Sequence, residues 1–128
     1  MTSSLKPPSP PHASVRFYKG EHVRTRADFE LIYNTGFKRS GRLMTMFTRE
    51  RETGPARLGI AATRKMGSAV ERNRAKRIVR ELFRHNKPSS PIDVVVVPRR
   101  EMIAAGYDRV ESEFRSLMAR QPRRTAHA

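Results

Sequence analysis

The sequence predicts a two-layer α/β sandwich built on one small mixed β-sheet. Segments with apolar residues at helical spacing alternate with segments of strand pattern in the order α-β-β-α-β-α. Residues 92–97 are β-branched at every position but one, which is typical of a strand buried on both faces. Because a helical segment separates this strand from the preceding one, the two strands are expected to pair in parallel.

The central helix is predicted to begin after residue 68. Ser68 is followed three residues later by Glu71, the spacing of a capping box, and Gly67 before it allows a sharp turn. An apolar stripe then recurs at helical spacing, formed by Ala75, Ile78, Val79, Leu82 and Phe83. The opposite side of this helix is basic, so one face should be buried while the other presents arginines.

A shorter first helix is predicted from Thr25 to Gly36. Thr25 has the position of an N-cap, and Gly36 supplies a C-terminal stop. Between them, Phe29, Ile32 and Tyr33 recur at i, i+3 and i+4, which indicates one apolar face.

The remaining elements follow from weaker patterns. Strands are expected at about 37–49 and 56–63, with a turn between them. Asp108 followed by Glu111 is expected to cap a last helix, which Pro122 should end.

Composition points to a polyanionic partner. The 128-residue chain has a formal net charge of +15 from 27 Lys and Arg against 12 Asp and Glu, and arginine outnumbers lysine about threefold. Cysteine is absent, no apolar run is long enough to cross a membrane, and the first residues do not resemble a secretory signal. We expect one domain at 15–121 between a Pro/Ser-rich tail at 1–14 and a frayed tail at 122–128.

The sequence shows no self-sufficient nuclease site. It contains neither a zinc-protease motif, nor paired aspartates, nor a phosphate-binding glycine loop. A His22/His85 acid–base pair with a lysine is conceivable. Asp93, at the start of the buried strand, is better explained as a structural cap than as a catalytic acid. The residues therefore favour a scaffold that binds nucleic acid.

The stretch from residue 64 to 84 resembles the signature of the bacterial ribonuclease P protein subunit. The matching residues are Arg64-Lys65-Met66-Gly67, Ala69-Val70, Arg72-Asn73-Arg74, Lys76-Arg77 and Arg80-Glu81, without a gap. The resemblance extends over about Val23 to Arg120. It implies the order α-β-β-β-α-β-α, with the first strand region divided in two. It also implies a left-handed crossover around the signature helix, where sequence alone would suggest a right-handed one.

This resemblance implies a role in tRNA maturation. The family's holoenzyme removes the 5′ leader of precursor tRNA, and its RNA subunit supplies catalysis with Mg²⁺. The chain would then have no active site of its own, no obligate protein partner and no contact with a membrane, and it would work in the cytoplasm. The residues expected to bind the RNA subunit are Arg64, Lys65, Arg72, Asn73, Arg74, Lys76, Arg77, Arg80 and Arg84.

A second surface is implied for the single-stranded leader. Phe29, Tyr33 and Phe47 match positions where the family presents aromatics in a central cleft, and stacking on aromatic rings tolerates any base. Spacing alone favours the interpretation that Phe29 and Tyr33 are core residues. The role of Asn73 is similarly undecided by the sequence, since its amide could contact a base, a hydrated metal ion or nearby backbone.

Other classes of function are compatible with the composition. A ribosomal or RNA-chaperone protein of related fold would also be strongly basic. The arginine-bearing helix could alternatively enter a DNA major groove, although no dimerising or supporting helix is indicated.

Overall fold

The computed structural model describes residues 21–120, which form a four-stranded mixed sheet with helices on both faces. In chain order the elements are α1 (Arg26–Thr35), β1 (Phe37–Ser40), β2 (Met44–Glu50), β3 (Arg57–Ile60), a 3-10 turn (Arg64–Met66), α2 (Ala69–His85), β4 (Ile92–Pro98), α3 (Glu101–Ala104) and α4 (Tyr107–Ala119). The predicted tails, residues 15–20 and Pro122 lie outside the described residues.

The sheet has the strand order β1-β2-β4-β3. β1 pairs with β2 and β2 with β4 in antiparallel fashion, whereas β3 and β4 pair in parallel. The predicted parallel pairing across the central helix and the mixed α/β class are therefore confirmed. The handedness of the β3–α2–β4 crossover stays a prediction from the family resemblance.

Successive side chains of each strand point to opposite faces of the sheet. On one face, Met46 and Val96 join the main core with α2 and α4. On the other, Val95 packs with Ile32 of α1, and Phe47 lies against this smaller cluster. The single helix α1 thus covers one face, and the other helices cover the opposite face.

Local signals explain where α1 and α2 form. Thr25 Oγ1 accepts the N–H of Asp28 at 3.1 Å, and the C-cap of α1 is Gly36, as predicted. Most of the predicted stripe of α2 is fully buried, namely Ala75, Val79, Leu82 and Phe83, with Ile78 half-buried. The prediction that the central helix is amphipathic is confirmed.

The prediction of a single strand at 37–49 is wrong. The chain turns at 41–43, which divides this region into β1 and β2. The Glu113 carboxylate of α4 accepts the N–H groups of Arg42, Leu43 and Met44 at 3.0, 2.8 and 3.0 Å. These donors are satisfied by a residue some seventy positions away, which local patterns do not reveal. The division into two strands that the family resemblance implied is confirmed.

The predicted cap of the last helix is also wrong. α4 follows Gly106, and no side chain caps it. Asp108 therefore lies inside the first turn, and the Glu111 carboxylate instead accepts a hydrogen bond from Asn86 Nδ2 at 2.9 Å. The 3-10 turn and the four-residue α3 were not predicted, and β3 is shorter than the expected 56–63.

Candidate RNA-binding surfaces

The signature helix α2 begins with the predicted capping box. Ser68 Oγ accepts the N–H of Glu71 at 3.2 Å, and the Glu71 carboxylate accepts the N–H of Ser68 at 2.9 Å, which lowers the pKa of Glu71. Gly67 has a φ of 151°, a conformation that residues with side chains rarely adopt. The Arg72 guanidinium donates to the Gly67 carbonyl at 3.0 Å, so this arginine also holds the turn in place.

The predicted RNA-subunit-binding residues lie on α2 and on the 3-10 turn before it. Met66 is buried and anchors the turn, which leaves Arg64 and Lys65 exposed. On α2, Asn73, Arg74, Arg77 and Arg80 are exposed, and Arg72, Lys76 and Arg84 are half-buried. Within residues 21–120, only Arg84 of this set has a carboxylate partner, Glu81. The other cations are not neutralised by ion pairs there, as a phosphate-binding surface requires.

Asn73 is exposed among these cations, and its side chain makes no hydrogen bond to another residue of 21–120. The interpretation that Asn73 bonds to nearby backbone therefore receives no support from the structure. Contact with a base or with a hydrated metal ion stays a prediction.

The three predicted cleft aromatics lie together on the α1 face of the sheet. The rings of Phe29 and Tyr33 have centroids 6.2 Å apart, and Tyr33 meets Phe47 edge to face at 4.8 Å. Phe29 and Phe47 are half-buried against the cluster that contains Val95, whereas Tyr33 is exposed. The aromatics are thus the outer layer of the smaller core, and their outer edges remain accessible.

A cavity of about 310 Å³ lies between α2 and Phe29, which is one of the three aromatics. Phe29 lines it from α1, and Lys76 and Arg80 line it from α2. The two predicted surfaces therefore meet at one site, which their separation in the sequence did not reveal.

The same cavity is lined by His22 and Arg24, which the sequence did not assign to a binding surface. An isolated parallel bridge between His22 and Leu58 of β3 brings them there. Burial, then Arg24 and Arg80, lowers the pKa of His22, and Glu21 opposes this effect. The basic residues around Val23 were the only sequence signal for this part of the site.

His85 does not line the cavity and instead contacts Glu81 at 3.1 Å, so the structure does not bring the conceivable His22/His85 pair together there.

The family model for ribonuclease P matches residues 17–121. The chain belongs to the ribonuclease P protein family. Members of this family are the protein component of an RNA-based enzyme that processes tRNA. The ribonuclease P protein component of Thermotoga maritima is 38% identical over 97 residues, which cover 74% of this chain and 82% of that protein. The component of Syntrophus aciditrophicus is 33% identical over 106 residues, covering 81% and 89%.

Solved structures of the family share the fold. The ribonuclease P protein of Thermotoga maritima superposes with a TM-score of 0.70 at 32% identity, covering 80% of this chain and 99% of that one. The Staphylococcus aureus protein gives a TM-score of 0.69 at 27% identity, covering 78% and 94%. The family assignment made from the signature is therefore confirmed by sequence and by fold.

Asp93 supports the fold at the edge of the cleft face. Its carboxylate is fully buried and accepts two hydrogen bonds from Arg57, at 2.7 and 2.9 Å, with Arg51 at 3.0 Å and Arg49 at 3.6 Å. The hydrogen bond to Asp93 is the main cause that raises the pKa of Arg57. Asp93 is thus structural, as expected, but it binds side chains of β2, of β3 and of the residue that follows β2, and it is not a backbone cap.

The described residues do not suit a magnesium site. Mg²⁺ takes oxygen ligands, usually carboxylates, whereas cations line the cavity and cover the basic face of α2. No group of three or more His, Cys, Asp or Glu side chains among residues 21–120 is arranged to hold a metal ion. None of the helices within 21–120 is both long and apolar enough to cross a membrane.

Proposed function

We propose that this chain holds the single-stranded 5′ leader of precursor tRNA in the cleft on the α1 face, while the basic face of α2 contacts the RNA subunit. The observation that supports this most directly is the shared cavity lined by Phe29, Lys76 and Arg80. Aromatic rings stack on any base and cations follow the phosphate backbone. That combination suits a single strand whose sequence varies from one precursor to the next.

In this proposal the RNA subunit holds Mg²⁺ and performs the hydrolysis, and the protein acts in the cytoplasm without a catalytic group of its own. The charge of +15 supports this division, because a strongly basic protein lowers the repulsion between two folded RNAs. The test is reconstitution with ribonuclease P RNA at low Mg²⁺. We expect 5′ processing by the complex and none by the protein alone, and cleavage by the RNA-free protein would refute the division of roles.

The cleft is tested with a matched pair of exposed tyrosines. Tyr33 is 36% exposed beside Phe47, and Tyr107 is 39% exposed on α4, whose core lies on the opposite face of the sheet. Losing one base-stacking partner costs about 1–3 kcal/mol, so Tyr33→Ala should raise the Kd for leader-bearing precursor about 5- to 150-fold. Phe47→Ala should act in the same direction.

Neither variant should change the Kd for mature tRNA, which lacks a leader, and Tyr107→Ala should change neither Kd. Equal losses for precursor and mature tRNA would reject the cleft assignment. These affinities are measured with the reconstituted holoenzyme by filter binding or fluorescence titration.

The basic face is tested with a pair of exposed arginines. Arg74 lies on the basic face of α2, and Arg109 lies on α4. Arg74→Ala should weaken binding to the RNA subunit and impair processing at low Mg²⁺ without changing the thermal stability, since its side chain lies outside the buried stripe. Arg109→Ala is the control. Unchanged processing by Arg74→Ala at low Mg²⁺ would contradict the assigned role.

The ribosomal and DNA-binding alternatives are not favoured. The ribonuclease P match spans the whole described domain, and relatives of this length carry the same name.

A further inference from the structure

Gly59 lies in the floor of the cleft, where the two proposed RNA-binding surfaces meet. In the sheet register Gly59 is opposite Val95, and Val95 is opposite Phe47. Residues opposite one another on neighbouring strands share a face, so these three form a row across the α1 side. Phe29 and Gly59 also line the same cavity.

The Phe29 ring occupies the space where a side chain at Gly59 would be. A Cβ added there would lie 2.9 Å from two ring atoms of Phe29 and 3.0 Å from Cβ of Val23. Carbon atoms normally approach to about 3.5–4.0 Å, so one neighbour would have to move by roughly 0.5–1 Å. The need for glycine is therefore one of space, since the φ of Gly59 is not positive.

Val23 has little freedom to move. It is buried in the smaller core, and its N–H donates to the Leu58 carbonyl at 2.8 Å. Phe29 borders the open cavity of about 310 Å³. The ring is therefore the group that would give way, and the cavity is the space into which it would move.

We infer that Gly59 is a positioning residue of the cleft: its lack of a side chain lets the Phe29 ring rest on β3 and keeps the space between that ring, Lys76 and Arg80 open for the leader. This inference rests on the leader-binding function proposed above. A displaced Phe29 would also disturb Tyr33, whose ring centroid lies 6.2 Å away, and Tyr33 in turn contacts Phe47.

The test is Gly59→Ala in the full chain, reconstituted with ribonuclease P RNA. We expect the Kd for leader-bearing precursor to rise about fivefold or more, the effect of losing one stacking contact, while the Kd values for mature tRNA and for the RNA subunit change less than about twofold. Gly106→Ala is the matched control, because a Cβ at that position meets nothing within 4 Å. Parallel loss of RNA-subunit binding in Gly59→Ala would assign Gly59 to folding alone and overturn the inference.

A double-mutant cycle shows whether Gly59 acts through Phe29. If it does, Gly59→Ala should have little further effect on precursor affinity in a Phe29→Leu background, where the ring is already absent. Full additivity of the two changes would refute the inference. If Phe29→Leu and Tyr33→Ala both leave precursor affinity unchanged, the assignment of the aromatics to a leader-binding cleft is wrong. If they lower it and Gly59→Ala does not, only the role of Gly59 is wrong.

Discussion

Replacing Asp93 with asparagine should be among the most destabilising conservative changes in the described domain. The Asp93 side chain is 1% exposed, and Arg57, Arg51 and Arg49 surround its carboxylate. Asparagine keeps the shape but removes the charge, and its amide group would place hydrogen-bond donors against guanidinium donors. The change would therefore break a buried ion-pair cluster, and it would leave only one of the two acceptor oxygens that Arg57 uses.

The expected loss can be bounded from these contacts. Removing one partner of a buried ion pair costs about 3–5 kcal/mol, and a hydrogen bond to a charged group contributes about 1.5–3 kcal/mol. The guanidiniums are 20–32% exposed and can recover some hydration, so we expect the low end of the range, about 3 kcal/mol. For a domain of this size, about 3 kcal/mol lowers Tm by roughly 12–24 °C.

Thermal unfolding followed by circular dichroism or calorimetry measures this loss. Asp108→Asn is the matched control, because Asp108 is exposed in the first turn of α4 and should cost less than about 1 kcal/mol. A Tm for Asp93→Asn within a few degrees of that control would show that the arginine cluster does not hold the strands together.

Further predictions concern salt, a turn and pH. The affinity for the RNA subunit should fall as the salt concentration rises, and log affinity against log salt concentration should have a slope of about −0.7 to −0.9 per phosphate contacted. Arg74→Ala should reduce the magnitude of that slope by about one. Salt-independent binding would contradict the electrostatic account. Glu113→Ala should lower the free energy of unfolding in urea by about 1–3 kcal/mol, because it leaves the three N–H donors of 42–44 without their acceptor. The pKa of His22 is lowered in the folded state, so below its ordinary value of 6.5 the unfolded chain binds more protons and stability should fall as pH falls. His22→Gln should lose less Tm than the unsubstituted protein between about pH 7.5 and 5.5, and an equal loss would show that His22 does not contribute.

The parts of the fold that were predicted correctly are those encoded by neighbouring residues. The capping box of Ser68 and Glu71 spans a single helical turn, and the stripe of α2 repeats every three to four residues. The β-branched run of β4 can likewise be recognised as a strand without knowledge of the strands that pair with it. The signature residues of α2 could be assigned to one face of a helix because helical geometry alone determines that face.

The predictions that were wrong depended on distant residues. Local pattern did not reveal the turn at 41–43, since the carboxylate that satisfies its backbone comes from Glu113. The first turn of α4 was misplaced because Glu111 bonds to Asn86 and does not cap the helix. In both cases a carboxylate of α4 accepts hydrogen bonds from a segment that is distant in the sequence.

The sequence by itself determined the family, the amphipathic central helix, its arginine-bearing face and the buried strand β4, because each depends on spacing within one segment. Only the tertiary structure decided that Phe29 meets Lys76 and Arg80 at one cavity, that Gly59 makes room for the ring, and that Asp93 binds three arginines. The physical reason is that these contacts join residues some 30 or more positions apart, or residues on different elements, and strand pairing and helix packing set their distances.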